Sequence, residues 1–176
     1  MRRITIVQGE HRAVAEPGVM LSTLLGSCVA ACLHDPVARV GGMNHFLLGE
    51  PAANQRLSMP EMARYGVHAM ELLINAMMAL GAQRANLQAH LYGGANMVAG
   101  LAEIGTSNAA FARRFMAAEG IQVSHADLGG NRARKVEFLA HDGRSRCTLA
   151  TAMPPEPIAP RISVPVAARV GELELF

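Results

Sequence analysis

Two apolar segments joined by a tight turn constrain the fold of this chain more than any other feature. Residues 28–33 are small and apolar, Asp35-Pro36 marks a turn, and residues 39–47 form a second strand-like run. The connection is too short for the crossover that parallel strands require. The sequence therefore predicts an antiparallel β-hairpin.

The rest of the chain adds more strands and only two helices. Further strands are expected at residues 3–7, 19–25, 87–92, 121–128, 135–139 and 146–150. Because strands and helices do not alternate strictly, and several strands are joined by short turns, a purely parallel sheet is disfavoured. We expect an α+β fold with mixed or antiparallel sheet and both helices packed on one side.

The two helices are predicted from periodicity and capping residues. Residues 60–80 have helical apolar spacing, and Ser58 and Glu61 stand at capping-box positions. Residues 108–119 form the second helix, with Ser107 as its N-cap. The side chains at helical spacing in the first helix are Tyr65, Leu72, Leu73, Ala76, Met77 and Leu80. We expect this face, with its methionines, to pack in the core.

Composition and charge exclude several classes of protein. The 176 residues are 51% hydrophobic and 17% charged, with a net charge of +2, which excludes a disordered chain. No apolar run approaches the roughly 20 residues of a membrane-spanning helix. Basic residues are dense only at residues 131–135, which is little for a nucleic-acid-binding surface. We therefore expect a cytoplasmic protein that is not membrane-inserted and does not bind nucleic acid.

The proline-rich end of the chain divides it into two parts. Residues 153–160 contain four prolines, which are incompatible with a helix or an interior strand. We expect one domain over residues 1–152 and an extended tail over residues 153–176. Three cysteines without a C-x-x-C pair are typical of neither a disulfide scaffold nor a metal site, so no metal or cofactor is predicted.

Cys28 is the strongest candidate nucleophile in the sequence. It follows Gly26-Ser27, a turn that can expose a thiol at the start of a strand and leave nearby backbone N–H groups available for an oxyanion. The alternative is a small buried core side chain, as free cysteines usually are. A thiol needs a base near neutral pH. His45, on the other strand of the hairpin, is the first candidate, and His68 in the long helix is its competitor.

A third group is expected to orient the histidine. Ser22 and Thr23 lie shortly before Cys28 and offer hydroxyl groups, and Asn44 adjoins His45. Neighbouring residues of a strand point to opposite faces, which weakens Asn44 as a partner of His45.

Two glycine pairs predict tight turns between strands. Gly93-Gly94, followed two residues later by Asn96, matches no phosphate-binding motif and indicates a close backbone approach. Gly129-Gly130 marks the turn after a later strand.

Five short motifs occur in one order along residues 4–149. They are Leu25-Gly26-Ser27-Cys28-Val29-Ala30, Gly41-Gly42-Met43-Asn44-His45-Phe46, Arg64-Tyr65-Gly66, Tyr92-Gly93-Gly94-Ala95-Asn96-Met97 and Asp127-Leu128-Gly129-Gly130-Asn131-Arg132-Ala133-Arg134-Lys135-Val136. Each motif alone is modest, but five in order are specific. Together they resemble the CheD family of chemoreceptor glutamine deamidases.

The resemblance implies a layered α/β/β sandwich and deamidation of glutamine side chains on methyl-accepting chemotaxis proteins. It places the nucleophile on Cys28, the histidine on His45, and a threonine six residues before the cysteine on Ser22, with Thr23 beside it. The backbone amides of Ser27 and Cys28 are then expected to hold the oxyanion. The loops expected around the substrate contain Gly93, Gly94, Asn96, Gly129 and Gly130.

The resemblance leaves two alternative functions open. Some family members bind the chemotaxis phosphatase CheC, so a CheC-type partner is possible and the chain can be chiefly a binding module. The second alternative is a cysteine peptidase or acyltransferase of similar chemistry. Cys28 and His45 favour an enzyme, because binding alone needs neither. The sequence departs from the family at Ser22 and at residues 104–108, where the family often has arginine before the asparagine.

Overall fold

A computed structural model of the chain describes residues 1–48, 59–97 and 102–150. Two long helices and nine strands occur in these residues. The strands are β1 (Arg2–Thr5), β2 (His11–Val14), β3 (Val19–Leu25), β4 (Val29–Asp35), β5 (Val40–Asn44), β6 (Gln88–Gly93), β7 (Gln122–Leu128), β8 (Arg134–Leu139) and β9 (Arg144–Leu149). The helices are α1 (Met59–Ala79) and α2 (Ala102–Ala118), and two short 3-10 helices span Arg84–Asn86 and Ala140–Asp142.

The strands form two sheets. The first has four strands in the order β1-β3-β8-β9, and the second has five in the order β2-β5-β4-β6-β7. The predicted hairpin is confirmed, because β4 and β5 pair antiparallel, with Cys32 opposite Met43 and Leu33 opposite Gly42. Both sheets are mixed, since β1–β3 and β6–β7 are parallel pairs.

The strand β4 lies in the middle of the molecule and is buried on both faces. Val29, Ala31 and Leu33 face the core beneath the helices, whereas Ala30 and Cys32 face the core between the two sheets. This explains its continuous apolar sequence, because a strand covered on both sides has no polar face. The predicted α/β/β layering, with both helices on one side, is confirmed.

The buried face of α1 differs from the predicted one. Met70, Leu73, Ile74 and Met77 are fully buried. Tyr65 and Leu72, which the periodicity placed in the core, are 49% and 39% exposed, and Leu80 lies past the helix end and is exposed as well. The sequence of α1 has apolar residues on more than one side of the helix, so its periodicity alone does not determine which side is buried.

The close packing of α1 depends on Gly42 in β5. A Cβ atom at this position would lie 2.7 Å from Leu73 Cδ1, so only a residue without a side chain allows α1 to pack this close to β5.

The second helix begins earlier than predicted. It starts at Ala102, so Ser107 is an interior residue and not its N-cap. Gly105 lies in the first two turns of this helix, and a Cβ there would lie 2.4 Å from the Ala95 carbonyl oxygen. Tertiary contact with the residues after β6 therefore outweighs the low helix propensity of this segment.

The strand β2 was not predicted, because residues His11–Val14 show no strand-like apolar pattern. This edge strand forms by pairing with β5, with His11 opposite Asn44. Ser58 of the predicted capping box and residues 153–176 lie outside the described residues. Within the described part of the chain, no helix has the length and apolar character needed to cross a membrane.

Candidate active site

Cys28 lies in the turn between β3 and β4, and the backbone of this turn is tightly held. The Gly26 carbonyl accepts a hydrogen bond from the Ala95 amide at 2.9 Å, and the Cys28 carbonyl accepts one from the Gly94 amide at 2.8 Å. Gly93 has φ +109°, and a Cβ there would lie only 2.1 Å from the Cys28 carbonyl oxygen. The close approach predicted for the Gly93-Gly94 turn therefore lies directly against the Cys28 backbone.

A buried asparagine holds the remaining carbonyl of this turn. Asn108 of α2 is fully buried, and its Nδ2 donates to the Ser27 carbonyl at 2.8 Å. Its Oδ1 accepts a hydrogen bond from the Leu48 amide at 2.9 Å. One side chain thus connects the segment before Cys28 with the segment after β5.

His45 is buried between the sheets and held by a threonine. Its Nδ1 lies 2.8 Å from the Thr23 hydroxyl, and that hydroxyl donates its proton to the Ile6 carbonyl at 2.7 Å. A hydroxyl has one proton, so it can only accept from His45, and Nδ1 carries the imidazole proton. Nε2 is then the unprotonated nitrogen of the neutral ring. It is buried and has no hydrogen-bond partner among the described residues.

The buried position of His45 also determines its charge. Burial lowers its pKa from 6.5 to about 4, although the Ile6 carbonyl and the Glu10 carboxylate act in the opposite direction. His45 is therefore neutral near pH 7. A neutral imidazole with an unprotonated Nε2 can accept a proton.

The hydroxyl that contacts His45 is that of Thr23 and not that of Ser22. Thr23 shares a face of β3 with Leu21 and Leu25, and both leucines lie in the core between the sheets. Ser22 points to the other face, where its register partner is Glu137 of β8. The expected contact of Ser22 with His45 is therefore wrong, and it fails because adjacent strand residues face opposite sides.

Cys28 and His45 lie on the same face of the second sheet. Val29 and Phe46 pair through two backbone hydrogen bonds of 3.0 and 2.9 Å. Cys28 and His45 each precede one member of this antiparallel pair, so they occupy diagonal positions, with Cα atoms roughly 7–8 Å apart by ordinary strand geometry. Both residues are buried, at 3% and 4% exposure.

Comparison with known proteins identifies the family of this chain. Residues 47–148, more than half of the chain, match the family model described as CheD chemotactic sensory transduction. A probable chemoreceptor glutamine deamidase CheD of Acidiphilium cryptum is 49% identical over 180 residues, covering 99% of this chain and 94% of that protein. A protein of Zymomonas mobilis with the same description is 52% identical over 146 residues, covering 83% and 79% of the two chains. The chain belongs to the CheD family.

Likeness to solved structures is more distant. Neisseria meningitidis protein NMB0706 superposes with a TM-score of 0.42 at 10% identity, covering 74% of this chain and 63% of that one. This is too low to assign the fold of the CheD chain from it.

The other two cysteines of this CheD family member are poor nucleophiles. Cys32 is buried in the core, and burial raises its pKa strongly. Cys147 is half-buried with its thiol 3.5 Å from Asp127 Oδ2, and burial followed by this carboxylate raises its pKa to about 11. His68, the competing base, is exposed on α1 and lines the same pocket as His45, whereas Cys28 is buried in the core between the two sheets.

The two predicted glycine loops, at Gly93-Gly94 and Gly129-Gly130, bond to each other next to the Cys28 turn. The Gly129 amide donates to the Gly93 carbonyl, and the Asn96 amide donates to the Gly130 carbonyl, both at 2.8 Å. Asn96 Nδ2 also lies 3.2 Å from the Thr106 hydroxyl. These contacts join the two loops and fix the segment that holds the Cys28 turn.

Three residues of this site were not predicted from the sequence. The Ile6 carbonyl accepts a hydrogen bond from the Thr23 hydroxyl, Asn108 donates to the Ser27 carbonyl, and Gln8 accepts from the Cys28 thiol. Their roles depend on which segments meet in the fold, and local sequence does not contain that information. No group of three or more metal-ligating side chains occurs among residues 1–48, 59–97 and 102–150.

Proposed function

We propose that this chain is a glutamine deamidase that converts glutamine side chains of chemoreceptors to glutamate, with Cys28 as nucleophile and His45 as base. The observation that carries the proposal is the Thr23–His45 hydrogen bond. It leaves the unprotonated Nε2 of a neutral imidazole in the same space between the sheets as the Cys28 thiol. The names of the relatives supply the substrate class.

The mechanism follows from these two side chains. His45 Nε2 takes the Cys28 proton, and the thiolate attacks the carboxamide carbon of a substrate glutamine. His45 then protonates the departing ammonia, leaving a thioester. Water, deprotonated by His45, hydrolyses the thioester to give glutamate and the free thiol. Thr23 acts as a positioning residue that maintains the Nδ1-protonated tautomer.

Two backbone amides are well placed for the oxyanion. In a planar trans peptide the N–H points opposite to the preceding carbonyl. The Gly26 carbonyl is aimed at Ala95, so the Ser27 N–H points away from that loop. The Ser27 carbonyl is aimed at Asn108, so the Cys28 N–H points away from α2. We therefore assign the Ser27 and Cys28 amides to the oxyanion that forms during attack.

The exposed side of α1 offers a surface for a receptor helix. A pocket of about 220 Å³ lies between α1 and the loop before β2, with Gly9, His45, Tyr65 and Leu72 among its lining residues. Tyr65 and Leu72 are partly exposed and line this pocket together with His45. Two such side chains can contact the apolar face of an amphipathic helix. Binding of a CheC-type partner stays a prediction.

Peptide mass mapping of a receptor cytoplasmic fragment tests the proposal. After incubation with this protein, we expect particular glutamine-containing peptides to gain the mass of a deamidation while the fragment stays uncut. Cleavage of the fragment would instead indicate a cysteine peptidase. Binding without any mass change would indicate a binding module, and either result would overturn the proposed function.

A further inference from the structure

The side chain that contacts the Cys28 thiol is itself a glutamine. The Cys28 Sγ donates to the Gln8 Oε1 at 3.5 Å. Gln8 lies in an exposed loop between β1 and β2, whereas Cys28 is 3% exposed. The carboxamide of Gln8 therefore lies against the nucleophile from the solvent side.

The loop that carries Gln8 is fixed to the base. The Gly9 amide donates to the His45 carbonyl at 2.8 Å, and the His45 amide donates to the Glu10 carbonyl at 3.0 Å. Within the loop, the Glu10 amide bonds to the Val7 carbonyl and the Val7 amide to Glu10 Oε2, both at 3.0 Å. Gln8 is thus held between the two proposed catalytic residues by four hydrogen bonds of its immediate neighbours.

This arrangement brings together a nucleophile, a base and a carboxamide. The carboxamide carbon is bonded to the oxygen that contacts Sγ, so a rotation of the Gln8 side chain that exchanges this oxygen for the carbon brings the reacting atoms to the 3–3.5 Å separation from which attack proceeds. A group held beside a nucleophile in the same molecule reacts as if at very high concentration. Its exposure to solvent also admits the water needed for hydrolysis.

We propose that Gln8 is a self-modification site, and that Cys28 deamidates Gln8 of its own chain to glutamate. The inference rests on the proposed function, because it uses the same two catalytic groups. It adds a substrate within the chain to the receptor substrate.

The reaction balances with water as the only co-reactant. The Sγ–Cδ bond forms as the Cys28 proton passes to His45 Nε2, and the Cδ–Nε2 bond of Gln8 breaks as ammonia leaves with that proton. Water then attacks the thioester carbon, the Sγ–Cδ bond breaks, and the thiol recovers its proton through His45. The products are a glutamate at position 8, ammonia and unchanged Cys28.

Mass mapping of the full chain tests this proposal. Trypsin releases residues 4–12 as one peptide with Gln8 as its only glutamine. We expect this peptide to gain the mass of a deamidation during incubation near pH 7.5 in the unaltered protein and in Cys147→Ala, but not in Cys28→Ala. The exposed Gln83, Gln88 and Gln122 serve as internal controls and should stay unchanged. A rate independent of protein concentration shows that the reaction occurs within one chain.

A receptor fragment in the same incubation separates the two proposals. Receptor deamidation with an unmodified Gln8 would overturn the inference and leave the proposed function standing. Equal conversion of Gln8 in the unaltered protein and Cys28→Ala would show spontaneous hydrolysis and would also overturn it. If neither substrate is converted, both proposals fail.

Discussion

Thr23 and His45 are joined by a 2.8 Å hydrogen bond across the space between the two sheets. The bond links β3 of one sheet to the end of β5 in the other, and the Thr23 proton is already directed to Ile6. A single threonine thereby determines which nitrogen of a buried imidazole carries the proton. In the proposed mechanism, this tautomer leaves Nε2 as the nitrogen that takes the Cys28 proton.

Replacing Thr23 should therefore slow turnover more than replacing its neighbour. Thr23→Val removes the acceptor of the Nδ1 proton, and we expect kcat on a receptor fragment to fall by about 10- to 100-fold, well short of the ~10⁴-fold lost with a charged triad aspartate. KM should change little, because this hydroxyl is buried and already bonded to Ile6 and His45. Thr23→Ser should keep most of the activity.

Ser22→Ala is the matched control, since it removes a hydroxyl from the same strand on the opposite face. It should be nearly silent. A slow Ser22→Ala beside an active Thr23→Val would show that the hydrogen bond does not serve the reaction.

The difference between Ser22 and Thr23 shows how much of the site could be predicted from the sequence. The bounds of β3, the β4–β5 hairpin and the Cys28 turn follow from local patterns of apolar and turn residues. Leu21 and Leu25 alternate with Thr23, which indicates that Thr23 shares their buried face. The prediction of Ser22 used only its distance of six residues from Cys28 and not this alternation.

Other parts of the site have no such local signal. Asn108 acts because α2 approaches the Cys28 turn, and this depends on tertiary contacts of Gly105 with Gly94 and Ala95. Gln8 reaches Cys28 because β2 pairs at the edge of a sheet, although its sequence has no strand pattern. Both placements are consequences of the whole fold.

The low pKa of His45 should make the protein less stable in mild acid. The unfolded chain protonates this histidine near its ordinary pKa of 6.5, whereas the folded protein resists protonation down to about 4. The unfolded state thus binds more protons between these values, so the free energy of unfolding falls as the pH drops through this window. The contribution reaches up to about 3 kcal/mol.

Chemical denaturation at pH 7 and pH 4.5 measures this effect. His45→Gln removes the titrating group, so its free energy of unfolding should fall less between the two pH values than that of the unaltered protein. Burial and nearby histidines also lower the pKa of His90, but that contribution is common to both proteins and cancels in the comparison. Identical pH dependence in both would show that His45 does not titrate abnormally.

Gly93→Ala should disturb the nucleophile turn. The new Cβ would lie 2.1 Å from the Cys28 carbonyl oxygen in a backbone with φ +109°. We expect a loss of more than about 3 kcal/mol of unfolding free energy, and a loss of kcat in the protein that remains folded.

Gly120→Ala is the control for backbone strain alone. Gly120 has φ +66° with open space around it, so this variant should cost only about 1–2 kcal/mol and keep its kcat. Thermal melts with activity measurements on the soluble fraction compare the two. Equal losses of stability and kcat in Gly93→Ala and Gly120→Ala would show that the close contact of Gly93 with the Cys28 carbonyl adds nothing to the cost of backbone strain.

Removing residues 153–176 should leave the chemistry intact. The strand β9 ends at Leu149, and the Ala150 amide bonds to the Ala133 carbonyl at 2.8 Å, so the described strands all end before residue 153. A chain ending at Ala152 is expected to deamidate a receptor fragment at the rate of the full chain. A folded but inactive truncated protein would assign the tail to substrate binding.

Deamidation of a receptor fragment by single cysteine variants tests the assignment of Cys28 most directly. Cys28→Ala, Cys32→Ala and Cys147→Ala each remove one thiol, and circular dichroism verifies that each variant is folded. The account predicts that Cys28→Ala produces no deamidated peptide, while the other two keep substantial turnover because their thiols stay protonated. Deamidation by folded Cys28→Ala at the rate of the unaltered protein would contradict the assignment of the nucleophile.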